Sequence, residues 1–310
     1  MGIPVSISLL LAPRAGDATV LTVVALVLAA LYLAGVVRLR LRGMSWSALR
    51  TLTFLSGSLA LVVVSTTGIE HYGTRLLSVF MFQQLTLMIA VPPLLVAGAP
   101  GTLLLRACSH RGAGRWVLMS AHGALRSRAA RWVLHPAFTI PLFLLAFYGL
   151  YLGGLADRIL RLDGGHVLLE MCFLVAGVVV AVPVLSRDPL PERHSGGRTA
   201  LEIFAEMGLH AFFGVIVMMG TSLLVPMMAA STSALGVDPL ADQRAAGGLA
   251  WGYGEGPTLI LLLVVISRWR RAEQRREAIA TLRADREGDL ELESYNRYLA
   301  ELASRDTRLG

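Results

Sequence analysis

The chain contains no lysine; all 28 of its basic residues are arginine. Charge of either sign is scarce, at 16% of residues against about a quarter in soluble domains. Cysteine is limited to Cys108 and Cys172, one between apolar runs and one inside such a run, so no disulfide framework is expected. A glycine-rich phosphate loop, a zinc-protease motif and a nucleophile elbow are all missing, and no enzyme class is indicated. Met1–Pro13 is apolar but lacks a basic n-region, so no cleavable leader is expected.

What fills the chain instead is apolar sequence, 55% of all residues. Runs close to the ~20 residues needed to cross a hydrocarbon core about 30 Å thick recur seven times. They lie near Ala18–Val37, Thr51–Thr67, Leu76–Gly98, Pro136–Gly154, His166–Ser186, Ile203–Met228 and Gly247–Ser267. The second run carries Ser56, Ser58 and Ser65, whose hydroxyls can bond back to the preceding turn and so do not bar a span. The fold class is therefore all-α, a polytopic bundle of seven transmembrane helices over residues 1–267. A charged helical tail follows over 268–310.

Arginine sets the orientation. Of the 28, 23 fall in the segments after runs one, three, five and seven, among them Arg38, Arg106, Arg187, Arg193 and Arg268. Only Arg14, Arg75, Arg158, Arg161 and Arg244 fall on the other side. The positive-inside rule then puts the N-terminus outside and the C-terminus in the cytoplasm. The net charge of +7 is parcelled out loop by loop and forms no continuous groove, which argues against nucleic acid as a partner.

The loop 101–135 interleaves arginine with Trp116, Trp132 and leucines, as suits an amphipathic segment on the inner membrane surface, divided at Gly112 and Gly114. In the tail, Leu290, Tyr295, Leu299 and Leu302 recur at roughly helical spacing and offer a face for the membrane domain or a partner. His110, His122 and His194 lie in arginine-rich segments as solvated residues.

Polar residues inside spans are costly, about 2.5–3.5 kcal/mol for a carboxylate at a helix centre on insertion scales, and mark candidate sites. Toward the outer ends stand His71 in a loop, Gln83 and Gln84 in run three, His166, Glu170, Met171 and Cys172 in run five, and Asp242, Gln243 and Glu255 about run seven. Glu206 and His210, four apart in run six, form a second pair suited to a proton relay or an interhelical bond. Imidazole and thioether are ligands that suit copper. The metal candidates are His71, His166, Met171, Cys172 and Gln84, with Gln83, Glu170, Asp242, Gln243 and Glu255 lining a polar cavity around them.

Two stretches carry a family likeness. "FMFQQLTLMIAVPPLLVAGAP" resembles the third-span signature of the CtaG family of cytochrome c oxidase assembly factors, and "DPLADQRAAGGLAWGYGEGPTLILLLVVISRW" resembles its last-span signature. His135-Pro136, "PVLSRDPLP" and "YNRYLAEL" extend the likeness over most of the chain from about residue 50. The resemblance implies a seven-helix protein of the bacterial cytoplasmic membrane linked to copper supply or maturation of the terminal oxidase. Its partners would be oxidase subunits or other assembly factors. Aligned on Pro92-Pro93, Phe80 and Gln84 stand where the family has histidines, so this is a divergent member. Gln83 and Gln84 then read as remnants of a polar site, and the double proline as the break that closes the inner end of the span.

The leading expectation is an assembly factor handling copper at the outer face. The alternatives are a transporter of copper or a small solute, with the methionine series as its path, and a metal-free scaffold.

Overall fold

The computed structural model describes residues 7–13, 19–109, 112–186, 196–287 and 290–309. Met1–Ser6, Arg14, His110, Arg187, Arg193, His194 and the "RDPLP" of the fifth loop lie outside the described residues, as does the side chain of His122. Among the described residues the only β-type pairing is an isolated bridge between Pro13 and Thr67.

The short α1 (Ile7–Leu11) precedes α2 (Val20–Leu41), α3 (Ala48–Thr66) and a six-residue α4 (Gly68–Gly73). The third long run is composite: α5 (Leu77–Leu85), a π-helical turn at Thr86–Ala90, α6 (Val91–Ala97) and α7 (Pro100–Ala107). Two surface helices follow, α8 (Ala113–Arg126) and α9 (Arg128–Val133). Then α10 (Pro136–Leu144) passes through a second π turn, Leu145–Gly149, into α11 (Leu150–Leu152). After α12 (Leu155–Leu160) come α13 (Gly165–Leu185) and α14 (Gly196–Met219). A 3-10 turn at Pro226–Met228 leads to α15 (Ala229–Ala234), α16 (Pro239–Glu287) and α17 (Leu290–Leu309).

Six of these runs are long and apolar enough to cross a membrane: α2, α3, Leu77–Ala107, α13, α14 and Pro239–Arg283 within α16. The remaining apolar segment, Pro136–Leu152, is the shortest, close to the lower limit of about 17 residues for a spanning helix. The chain is a multi-pass helical membrane protein.

Two expectations are corrected. The double proline does not close its span. Pro92 and Pro93 sit at the start of α6, and the wider π turn just before them absorbs the loss of two N–H donors and the ring clash with the preceding turn, so the helix runs on. The sixth helix ends at Met219, not Met228, because "GTSLLVP" supplies a glycine and then a proline; Met227 and Met228 lie in the 3-10 turn. The last helix starts at Pro239 and passes Ser267 without a break. Its 49 residues make it about 74 Å long, more than twice a bilayer's hydrocarbon core, since "RWRRAEQRREAIATLRADRE" contains neither glycine nor proline to stop it.

Packing is by small residues at close approach. Between α14 and α16, a side chain at Gly214 would strike the backbone of Gly247 and Trp251, one at Gly247 the backbone of Gly214 and Met218, and one at Gly254 the His210 ring. From α13, Gly177 lies against the Met88 carbonyl and the Pro92 ring, where the proline has removed that carbonyl's usual helical donor. Ser58 and Ser65 bond back to Phe54 and Leu61 at 3.0 and 2.8 Å, and Ser65 also meets Thr22 of α2 at 2.8 Å.

At the arginine-rich end, Tyr32 stacks on Phe54 at 4.0 Å and donates to the Gly98 carbonyl, while Arg50 and Arg106 lie over the Trp46 ring. Gly112, at φ +59°, divides the surface segment, whereas Gly114 lies inside α8. Trp116 and Trp132 are exposed there, and so are Tyr295, Leu299 and Leu302 on α17.

Candidate functional site

The opposite end of the bundle, where α4, α12 and α15 connect the spans, is laced by polar bonds. Asp242 of α16 accepts from the backbone N–H of Leu77 at 2.6 Å and of Ser78 at 3.3 Å, and from the Ser78 hydroxyl. It therefore caps α5 from another helix, satisfying donors that a helix start leaves open. Gln243 accepts from Leu224 N–H at 2.8 Å and donates to the Ser222 carbonyl at 3.0 Å, fixing the connection after α14. Thr232 of α15 donates to the Arg75 carbonyl at 2.8 Å, and Asp157 of α12 accepts from Met227 N–H at 2.7 Å.

This frame sets the height of Gln83, six residues into α5. Its Nε2 donates to Glu70 Oε2 at 2.7 Å and to Glu170 Oε1 at 2.5 Å, with the Val64 carbonyl further off at 3.3 Å. Glu70 reaches it from α4, which the Thr67 hydroxyl caps by accepting from Ile69 N–H. Glu170 comes from α13, and His166 lies one turn away on the same face. His166 Nε2 stands 3.6 Å from Glu70 Oε1 and 3.7 Å from Glu170 Oε1.

The cluster is buried and incompletely satisfied. Glu170 is wholly buried and Gln83 is 1% exposed, yet Glu170 Oε2, Gln83 Oε1 and both His166 nitrogens lack a hydrogen-bond partner. Neither carboxylate has an arginine partner among the described residues. Burial drives the Glu70 carboxyl upward, but its polar contacts with His166, Glu170 and Gln83 outweigh it, leaving Glu70 below the usual carboxylate range. The Phe80 ring lies 5.4 Å from the His166 ring and also meets Phe173. Beside the cluster, Gly73 allows a close approach: a Cβ there would strike Gln83 Oε1 and meet the His166 ring.

The geometry gathers only part of the sequence-derived set. His166, Glu170 and Gln83 come together, and Glu70 joins them although its neighbour His71 was the residue singled out. His71 turns to the edge of the Tyr72 ring instead. Gln84 points elsewhere, donating to the Ala146 carbonyl at 3.1 Å and accepting from the Tyr151 hydroxyl. Met171, about 100° round the helix from Glu170, packs on the apolar core, and Cys172 is exposed. Asp242 and Gln243 are engaged by backbone rather than lining the cluster.

Glu255, 13 residues beyond Asp242 on α16, lies about 20 Å away along the helix. Met218 and Met219 are exposed, so the methionines form no continuous internal path. Glu206 and His210 line one cavity with Met88, Pro93 and Phe143; His210 Nε2 has no partner there. Glu70 had one available signal, being the only charged side chain between Arg50 and Arg75.

The chain as a whole is similar to known proteins. An uncharacterized protein of Mycobacterium bovis and one of Mycobacterium tuberculosis are each 35% identical over 286 residues, and one of Mycobacterium leprae is 32% identical over 291. Those alignments take in 89–90% of this chain but only 42–43% of the relatives, so the chain spans less than half their length. No solved structure matches it. The model of the cytochrome c oxidase caa3 assembly factor family (Caa3_CtaG) matches residues 30–272, from α2 into α16, and the chain belongs to that family.

Proposed function

We propose that this chain serves maturation of cytochrome c oxidase from the bacterial cell membrane, working by contact with the oxidase or its assembly machinery and without catalytic turnover. Copper on its way to the oxidase is the cargo this reading assigns. The place of handling is the cluster of Glu70, Gln83, His166 and Glu170, at the end of the bundle that the arginine distribution puts outside.

The observation that carries this reading is a buried polar centre left with unpartnered atoms, in a family of oxidase assembly factors. Retaining two carboxylates in an apolar bundle without an arginine costs stability, and such residues mark functional positions in membrane proteins. The neighbouring Asp242 and Gln243 are spent on backbone caps and leave the cluster as the free chemistry of that end.

The test is genetic. A strain lacking the chain should show reduced haem–copper oxidase and reduced copper per oxidase, restored by wild type. Glu70→Gln combined with His166→Ala should not restore it although the variant is present in the membrane at normal level. Full oxidase in the deletion strain would defeat the reading.

A further inference from the structure

We infer that Glu70, His166 and Glu170 form a binding site for one divalent cation of borderline softness, such as Zn²⁺, Co²⁺ or Cu²⁺, and that this site does not favour Cu(I). The inference rests on the metal-cargo reading above for its biological setting, but its evidence is the local geometry.

Spacing comes first. His166 Nε2 is 3.6 and 3.7 Å from the two carboxylate oxygens, too far for a hydrogen bond. Ligands about 2.0–2.2 Å from one tetrahedral ion stand roughly 3.3–3.6 Å apart, so the gap has the width of a shared cation. One donor atom from each residue lies within 4.8 Å of the others.

Two orphaned atoms on deeply buried side chains supply independent support. Glu170 Oε2 and Gln83 Oε1 are unpartnered on side chains that are 0% and 1% exposed. The Gln83 amide NH₂ meanwhile holds both carboxylates, as an outer hydrogen bond orients a metal ligand.

Charge balance points the same way. Metal binding requires deprotonated ligands, and two carboxylates with an imidazole in that state carry −2, which one divalent ion cancels and a monovalent one does not. Donor chemistry then selects the ion. Two oxygens and an imidazole suit a borderline divalent metal, whereas Cu(I) seeks thiolate or thioether, and Cys172 is exposed while Met171 packs on the apolar core. Ca²⁺ and Mg²⁺ are poorer fits, since they call for mostly oxygen ligands and more of them.

The experiment loads the purified full chain in detergent with Zn²⁺, Co²⁺, Cu²⁺ and, anaerobically, Cu(I), and measures retained metal. About one equivalent of divalent ion is expected, with a Co²⁺ spectrum lacking sulfur-to-metal charge transfer. Glu70→Gln and Glu170→Gln should each weaken Zn²⁺ retention by about tenfold or more, while Met171→Ala and Cys172→Ala leave it unchanged. Wild-type competition between Zn²⁺ and Cu(I) keeps the test independent of whether a variant folds.

Failure to retain any divalent ion, tighter hold on Cu(I), or dependence on Cys172 would overturn the site. A strain defect in Glu70→Gln without divalent binding would sink this inference and leave the assembly role standing. Binding with normal oxidase in the deletion strain would do the reverse.

Discussion

Gln83 and Gln84 are adjacent, equally buried and chemically identical, yet they belong to different parts of the protein's economy. Gln84 faces the Pro136–Leu152 segment, where both ends of its amide are occupied by the Ala146 carbonyl and the Tyr151 hydroxyl. Gln83 faces α4 and α13, where its amide NH₂ bridges two carboxylates and its carbonyl oxygen finds nothing. One residue of separation turns a helical side chain by about 100°, enough to send neighbours to different interfaces. A satisfied buried amide is an interhelical clasp; an unsatisfied one beside paired carboxylates is chemistry held in reserve.

Replacing each glutamine with leucine gives the largest expected contrast. Gln84→Leu strands the Tyr151 hydroxyl and the Ala146 carbonyl and should cost about 1–3 kcal/mol, read as a lower melting temperature in detergent. It should leave divalent-metal retention intact. Gln83→Leu should loosen the two carboxylates and weaken retention by about tenfold, with less change in melting temperature. Two variants that behave alike would dissolve the distinction.

Asp242 sharpens the comparison from the structural side. Loss of its cap on α5 in Asp242→Ala should cost about 1–2 kcal/mol and speed hydrogen exchange at the Leu77 and Ser78 amides. Asp242→Asn, which retains an acceptor, should be milder. Equal damage from both would mean the negative charge rather than the cap is at work.

The smallest effect concerns pH. Burial raises the Asp157 carboxyl, but its bonds from Arg161 and from Met227 N–H outweigh this and hold it below the usual value. A depressed carboxyl stabilises the fold fully above its unfolded value of about 3.9, and that contribution fades as pH falls through the lower folded value. Acid melts of wild type and Asp157→Asn should therefore converge only at low pH. A pH-independent gap between them would rule out this linkage.

Much of the architecture was legible in the chain because burial in lipid imposes length and polarity rules that composition alone reveals. The apolar runs, the glycine-divided surface segment and the family likeness all needed no coordinates. Helix ends were harder. The double proline reads as a stop, yet a π turn one step earlier absorbs it, and such a turn depends on packing against α13 rather than on local propensity. The site was half legible: His166 and Glu170 stand four apart on one helix, whereas Glu70 belongs with them only because α4 brings it over the end of α5.

The sequence by itself determined that this protein lives in a membrane and which oxidase-linked family it belongs to, since hydropathy and signature residues are local properties of the chain. Tertiary structure alone decided which of two neighbouring glutamines meets the carboxylates, which candidate ligands are exposed and which meet one another. Those choices depend on the rotation of each helix about its axis, and rotation is fixed by close approaches such as Gly177 on Met88 and Gly247 on Gly214, made between residues far apart in the chain.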